Sequence, residues 1–393
     1  MKEDHEAGSG LLLDETLRKP DVVKFHIDPT VPPVAAQFKQ VPVAYQQKVS
    51  KHLQELREGG KIEDVGPNEH CPWISNIVIT EKKQANQIRM NLDAREVNKA
   101  LKRTKQHIET VQEIRHKLTG ATRFSELDLG HGYHQIALDE KSRQMSVFQT
   151  HEGLHRFKVL FFGASPASDL FHDRIKSAVR GVEGAISIHD NILVWGKTPK
   201  EHEENLMALL QRCKERGITI RLSKSNIGKT EVDWFGWTFS ESGMSADKKK
   251  VRAIIEAGPP QSTEEVKSFL QACQFNARFM IESENAYAEL TEPLRRLTRK
   301  NARFNWSNEC EDSYRKIITA MTSDTALRPF DPKLNTKLVT DAGPNGIAAS
   351  VFQEDESGIW IPVDHASRSL TPCEQNYSQI EKESLGQAWG MNE

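Results

Sequence analysis

The chain has 393 residues, 27% charged and 37% hydrophobic, which places it among folded globular proteins with room for two or three domains and argues against a disordered or low-complexity polymer. Its formal net charge of −2 supplies no global basic field, so any nucleic-acid surface must be local: Lys82-Lys83, Lys102-Arg103-Lys105, Lys248-Lys249-Lys250 and the run from Arg295-Arg296 to Lys300 are candidates, and each also reads as an ordinary solvated face. Cys71, Cys213, Cys273, Cys310 and Cys373 are odd in number and never spaced as Cys-x-x-Cys, against a disulfide framework or zinc ribbon, and no apolar run approaches the roughly 20 residues of a membrane span, so a reducing intracellular setting without a membrane is expected.

Residues 1–40 mix charges with Gly8-Ser9-Gly10, Pro29, Pro32 and Pro33 and read as an extended lead-in. Val49, Leu53 and Leu56 set a helical stripe over Tyr45–Glu58 that Gly59-Gly60 stops. Trp73–Ile79 has strand character, Lys82–Gln87 is a polar loop, and Ile88–Asp93 returns. A helix ends near Leu118-Thr119-Gly120, after which a strand from Phe124 delivers Asp128, and Gly130 and Gly132 turn the chain before Tyr133. Met145–Phe148 and Phe157–Phe161 are expected to pair around His151-Glu152-Gly153, and Ala167–Val179 is a helix with Leu170, Phe171 and Ile175 inward.

Ile186–Trp195 then presents two apolar, β-branched runs joined by a short polar pair, a hairpin with Asp190 on its turn. Thr198-Pro199-Lys200-Glu201 opens a helix carrying Leu206, Leu209, Leu210 and Cys213 and ending at Gly217. A strand Ile218–Leu222, then Lys224, then a second hairpin over Val232–Phe239 complete a split βαβ, palm-like order. From Asp247 the chain turns helical, with Val251, Ile254 and Ile255 on one stripe and a capping box at Ser262–Glu265 opening another. Residues 301–336, with Trp306, Pro329 and Pro332, read as a connector. Lys337–Gly343 and Ile347–Phe352 look like the first strands of an α/β domain, and Thr371-Pro372-Cys373-Glu374 is expected to cap a last helix.

An Asp-Asn pair in a tight turn is ordinary turn chemistry, so the hairpin taken alone carries no function. Two carboxylates meeting at the open end of a sheet, however, can hold divalent cations about 3.5–4 Å apart, the arrangement used in phosphoryl transfer. Asp128 and Asp190 are the candidates, although spacing alone does not bring them together.

At this point the residues resemble a known family, the reverse transcriptases of gypsy-type LTR retrotransposons. Phe124-Ser125-Glu126-Leu127-Asp128-Leu129 through Gly132-Tyr133-His134-Gln135-Ile136 is similar to the family's first acidic block. Lys82-Lys83, Arg89 and Asp93-Ala94-Arg95-Glu96-Val97-Asn98 resemble its loop and following strand, Phe162-Gly163 through His172 its nucleotide-side block, and Trp234-Phe235-Gly236 its primer-gripping hairpin. Asp341 and the Ile380–Leu385 segment resemble the start of the tethered RNase H.

The resemblance implies an α+β fold, a right-hand polymerase with fingers and palm at 41–240 and thumb at 241–300, followed by the connector and a partial RNase H-like α/β domain at 337–393. It implies RNA-directed DNA polymerisation from deoxynucleoside triphosphates on an RNA or DNA template with primer, using two Mg2+ ions, with Mn2+ as the alternative. Asp128 and Asp190 would bridge the metals, with Asn191 beside them. Lys82 and Arg89 would neutralise the incoming triphosphate; Tyr133 would be a steric gate under the sugar and Phe162 would pack near the nucleotide; Lys224 would be a general acid near pyrophosphate. Tyr133 and Phe162 also read as core aromatics and Lys224 as a surface cation. Asp341 and Glu383 would be two RNase H metal ligands, and because the chain stops at Glu393 no RNA cleavage is expected. The implied compartment is cytoplasmic, particle-associated or nuclear, and no oligomeric state is specified.

The sequence departs from the family at the hairpin. Where the family has Tyr-x-Asp-Asp, this chain has Ile188, His189, Asp190 and Asn191. Losing about 4 kcal/mol of transition-state stabilisation would slow polymerisation on the order of a thousandfold. His189 could ligate a soft ion or simply occupy the turn. The competing expectation is therefore a decayed copy that binds primer–template without extending it.

Overall fold

The computed structural model describes residues 22–81, 88–103, 109–130, 132–188, 190–280, 287–323 and 325–393. The chain divides into two compact units, one of residues 1–109, 125–194 and 200–227, the other of residues 110–124, 195–199 and 228–393.

The first unit is built on one apolar core. Helix Val43–Glu58 buries Val49, Leu53 and Leu56 and ends where Gly60, at φ +63°, makes the left-handed turn. The hairpin Ile77–Glu81 and Ile88–Leu92 is antiparallel, with Ile77 opposite Leu92 and Thr80 opposite Arg89. Trp73 to Asn76 contribute isolated bridges rather than the longer strand expected, Ile74 to Ala35 and Ser75 to Phe148. A three-stranded sheet joins Ile62–Asp64, Gly153–Phe157 and Val147–Thr150. The return strand thus occupies 153–157 and not 157–161. Gly153, at φ +118°, directly faces Thr150, so pairing starts immediately after a two-residue turn. Helix Ala167–Val179 falls where the periodicity sets it, with Phe171 and Ile175 buried.

A four-stranded sheet runs in the order Asn226–Lys229, Arg123–Asp128, Asn191–Gly196, Ala185–Ile188. Leu127, Ile192 and Val194 are fully buried in the core of this unit, each side chain contributing about 1.5–3 kcal/mol of burial. Helix Pro199–Arg216 starts at the predicted proline and buries Leu209 and Cys213. The expected strand Ile218–Leu222 is reduced to one bridge, Ile220 to Leu129, followed by a 3-10 turn at Leu222–Lys224. The residues after it pair instead, as Asn226–Lys229.

In the second unit, Glu231–Trp234, Trp237–Ser240 and Gly243–Ala246 form an antiparallel meander. Helices Lys248–Ala257, Thr263–Asn276 and Tyr287–Arg296 follow, the first capped by Asp247 and the second by Ser262. The region read as connector contains a further helix, Asn308–Met321, capped by Ser307 and burying Cys310, Tyr314, Ile317 and Met321 at helical spacing. Three antiparallel strands close the unit, Thr336–Ala342, Gly346–Glu354 and Trp360–Ser369. The third, not anticipated in the sequence, contains Pro362; the ladder absorbs the proline at a register shift opposite Val351 and Phe352. The last helix is Gln379–Asn392, not one starting at Thr371. Thr371 and Glu374 do bond reciprocally, but they close only a short turn, and the capping box that opens the helix is Ser378 with Glu381.

Candidate active site

The hairpin Ala185–Ile188 and Asn191–Gly196 pairs Ile188 with Asn191, which closes a tight turn that carries Asp190. Asp190 is exposed on that turn and Asn191, half-buried, is the first residue of the returning strand. His189, singled out in the sequence, lies outside the described residues.

Asp128 is the last residue of the neighbouring strand. Thr122 N–H donates to Gly196 O (3.0 Å), so that strand begins beside the end of Asn191–Gly196. Neighbouring strands joined in this way run antiparallel, and the carboxylate end of one therefore lies alongside the Asp190-Asn191 end of the other. The pairing that spacing could not supply comes from the ladder.

Asp128 is held by its backbone. Its N–H donates to Ser225 Oγ (3.1 Å), its carbonyl accepts from Arg221 N–H (2.8 Å), and Ser225 Oγ donates back to Arg221 O (2.9 Å). Among the described residues its Oδ1 is buried and has no hydrogen-bond partner. Among the described residues Arg221 is its ion-pair partner, with Nη1 3.9 Å from that oxygen. Sequence reading assigned Arg221 no role, since it fell in an expected strand; its only signal was a charge beside the segment that flanks Asp128.

An unsatisfied buried carboxylate oxygen costs free energy unless something positive meets it. The open Oδ1 of Asp128 would suit a cation, and Asp190 with the Asn191 side-chain oxygen would be the further donors that could hold one. Among the described residues no group of three or more His, Cys, Asp or Glu side chains forms a metal cluster.

On the same unit, Tyr133 sits in a 3-10 turn, Gly132–Gln135, and its ring lies 4.7 Å from Phe162 and 5.3 Å from Phe171. Phe171 is buried while Phe162 is 43% exposed, so Tyr133 joins the core to a surface ring. The turn carrying Phe162 is tight: Gly163, at φ +109°, has Leu92 O only 2.7 Å from where a Cβ would stand. Asn98 fixes this turn, donating to Gly163 O (2.9 Å) and accepting from Ser165 N–H (2.8 Å). That gives the Asp93–Asn98 block a structural task, and Asp93 in turn holds Arg95 through two 2.7 Å bonds. Arg89 is exposed between buried Ile88 and Met90. Lys224 ends its 3-10 turn exposed, its N–H bonded to Arg221 O (3.1 Å). Lys82 lies outside the described residues.

In the second unit Trp234 faces Trp237 across a two-residue turn, Phe235 at φ +49° and Gly236 at φ +89°. Glycine is required at 236, because a Cβ there would meet Lys250 and Phe275. Trp234 is buried and Phe235 exposed. Phe275 stacks on Trp237 at 4.5 Å and 8°. Asp341 is near the end of strand Thr336–Ala342 and is exposed. Gln379 Nε2 donates both to Ala342 O (2.7 Å) and to Glu383 Oε1 (2.9 Å), which draws Glu383 to the same strand end as Asp341.

Residues 80–239 match the family described as reverse transcriptase (RNA-dependent DNA polymerase), and residues 306–393 match the RNase H-like domain found in reverse transcriptase. A retrovirus-related Pol polyprotein from transposon 412 of Drosophila melanogaster is 30% identical over 305 residues, covering 77% of this chain and 24% of the relative. The corresponding polyprotein of transposon opus, from the same organism, is 29% identical over 385 residues, covering 92% of this chain and 37% of the relative. The chain therefore spans 24% to 37% of the length of these relatives. Among solved structures, a foamy viral protease-reverse transcriptase in complex with dsDNA superposes with a TM-score of 0.81 at 20% identity, over 95% of this chain and 76% of that one. The same viral protein with an RNA/DNA hybrid gives 0.74 at 19%, over 95% and 49%. The likeness to these structures establishes the polymerase fold, and with the two family matches and the transposon relatives it follows that the chain belongs to the reverse transcriptases of LTR-retrotransposon Pol polyproteins, of which it carries the polymerase and an RNase H-like segment.

Proposed function

We propose that this chain catalyses template-directed addition of deoxynucleotides to a primer on an RNA or DNA template, with Asp128 and Asp190 as the metal-holding carboxylates. The observation that carries the reading is Asp128, whose buried Oδ1 has no hydrogen-bond donor among the described residues and lies at the strand end adjoining Asp190. Bound there, Mg2+ ions, or Mn2+, would supply charge neutralisation at the attacking and leaving oxygens. The chain's own residues divide the remaining work. Arg89, with Lys82, offers cations to the triphosphate; the Tyr133 and Phe162 rings bound the sugar's place and disfavour a 2′-hydroxyl; Lys224 can deliver a proton to the departing pyrophosphate. Trp234, Phe235 and Gly236 present a rigid turn to the primer, and Asp341 with Glu383 stands as the RNase H pair.

Asn191 favours a second reading, in which the protein grips primer–template through Lys and Arg contacts yet extends it poorly, because phosphate contacts do not need the carboxylate pair. Single-nucleotide incorporation on a primed RNA template, run beside Asp128→Ala, tests the first. Incorporation that falls at least a hundredfold in the variant supports it; equal rates in the two proteins overturn it.

A further inference from the structure

The guanidinium beside Asp128 is not required by anything derived so far. Arg221 reaches its place through the backbone: the Leu129 to Ile220 bridge, the Arg221 N–H to Asp128 O bond and the Ser225 hydroxyl fasten its main chain to that of Asp128. Its Nη1 then stands 3.9 Å from Oδ1, too far for a hydrogen bond and close enough for Coulomb attraction. Arginine stays charged throughout the accessible pH range. Asn191 is neutral, and the Asp128 carboxylate at this sheet end faces a permanent cation.

We propose that Arg221 is the resident counter-cation of Asp128 and competes with a divalent cation for that carboxylate. The inference rests on the metal-site reading of Asp128 and Asp190. The pair contributes little to folding, since both side chains are well exposed, 41% for Arg221 and 37% for Asp128. Its effect is on charge: a guanidinium and a doubly charged ion about 5–6 Å apart in a near-aqueous dielectric repel enough to weaken ion binding about tenfold.

The test is calorimetric titration of the full chain with Mn2+, without nucleic acid or nucleotide, in the natural sequence and in an Asn191→Asp background, with thermal unfolding as the folding check. Arg221→Gln is expected to tighten Mn2+ binding about tenfold in either background. Arg221→Lys, which keeps the charge, should return affinity toward that of the parent. Asp128→Asn should abolish the site. If Asp128→Asn binds Mn2+ as its parent does, the metal-site reading itself fails. If Asp128→Asn loses the ion while Arg221→Gln leaves affinity unchanged or weaker, Arg221 is no competitor and only this proposal is overturned.

Discussion

At the scale of single residues, charge and burial decide most of what this chain can do. Position 191 carries a neutral amide where the resemblance leads one to expect a carboxylate, and Asp128 has a carboxylate whose buried oxygen has no donor among the described residues. Both carboxylates were legible in the sequence. Their adjacency was not, because it depends on strand order, and Arg221 was missed because a charge at a strand end has no signature until the strand's partner is known. His155 shows the same limit. It is buried, with Nδ1 2.7 Å from Asp64 and Nε2 3.0 Å from Thr150, and nothing in the sequence singles it out. Burial pushes its pKa below the ordinary value of 6.5, against the opposing pull of Asp64. The unfolded chain then binds that proton more readily, so the stability it contributes is present above about pH 6.5 and is lost as pH falls below it. Burial shifts His365 in the same direction. Thermal midpoints should therefore fall between pH 7 and 5, and His155→Gln should flatten that part of the curve without abolishing it. The carboxylates with lowered pKa, such as Asp64 and Glu152, titrate below this window.

Elements with a strong local code were legible nearly to the residue. Helices Ala167–Val179, Pro199–Arg216 and Thr263–Asn276 carry apolar stripes with clear starts, and they form where those signals lie. The hairpin bearing Asp190 was equally plain, since two β-branched runs around a polar pair have few alternatives. Elements whose pairing is set from outside were misjudged. Ile218–Leu222 has strand composition but makes only a bridge to Leu129 and two flanking backbone bonds, and Trp360–Ser369 is a strand despite Pro362 because it bulges at Val363, beside the proline. Two competing caps near the end of the chain show how local the decision can be. Thr371 and Ser378 both form capping pairs, but only Ser378 is followed by a long helix. Ser378→Ala should cost about 1 kcal/mol, read as faster amide exchange through the first turn of Gln379–Asn392 and a lower unfolding midpoint.

For the whole molecule, the order of elements suggested a palm-like layout and the motif resemblance implied the polymerase fold, which the match over residues 80–239 and the foamy viral structures establish. The helix Asn308–Met321 within the expected connector and the third strand of the last sheet completed a region that the RNase H-like match takes from residue 306 onward. What the fold leaves to experiment is how well this copy performs, and that returns to one side chain. The most direct measurement is the single-turnover rate of nucleotide incorporation on a primed RNA template by the natural chain and by Asn191→Asp at saturating Mg2+. If the missing charge limits the site, the variant should gain on the order of a thousandfold, the equivalent of about 4 kcal/mol in the barrier. Unchanged rates in the presence of intact, salt-sensitive primer–template binding would contradict that account and place the lesion elsewhere than the hairpin.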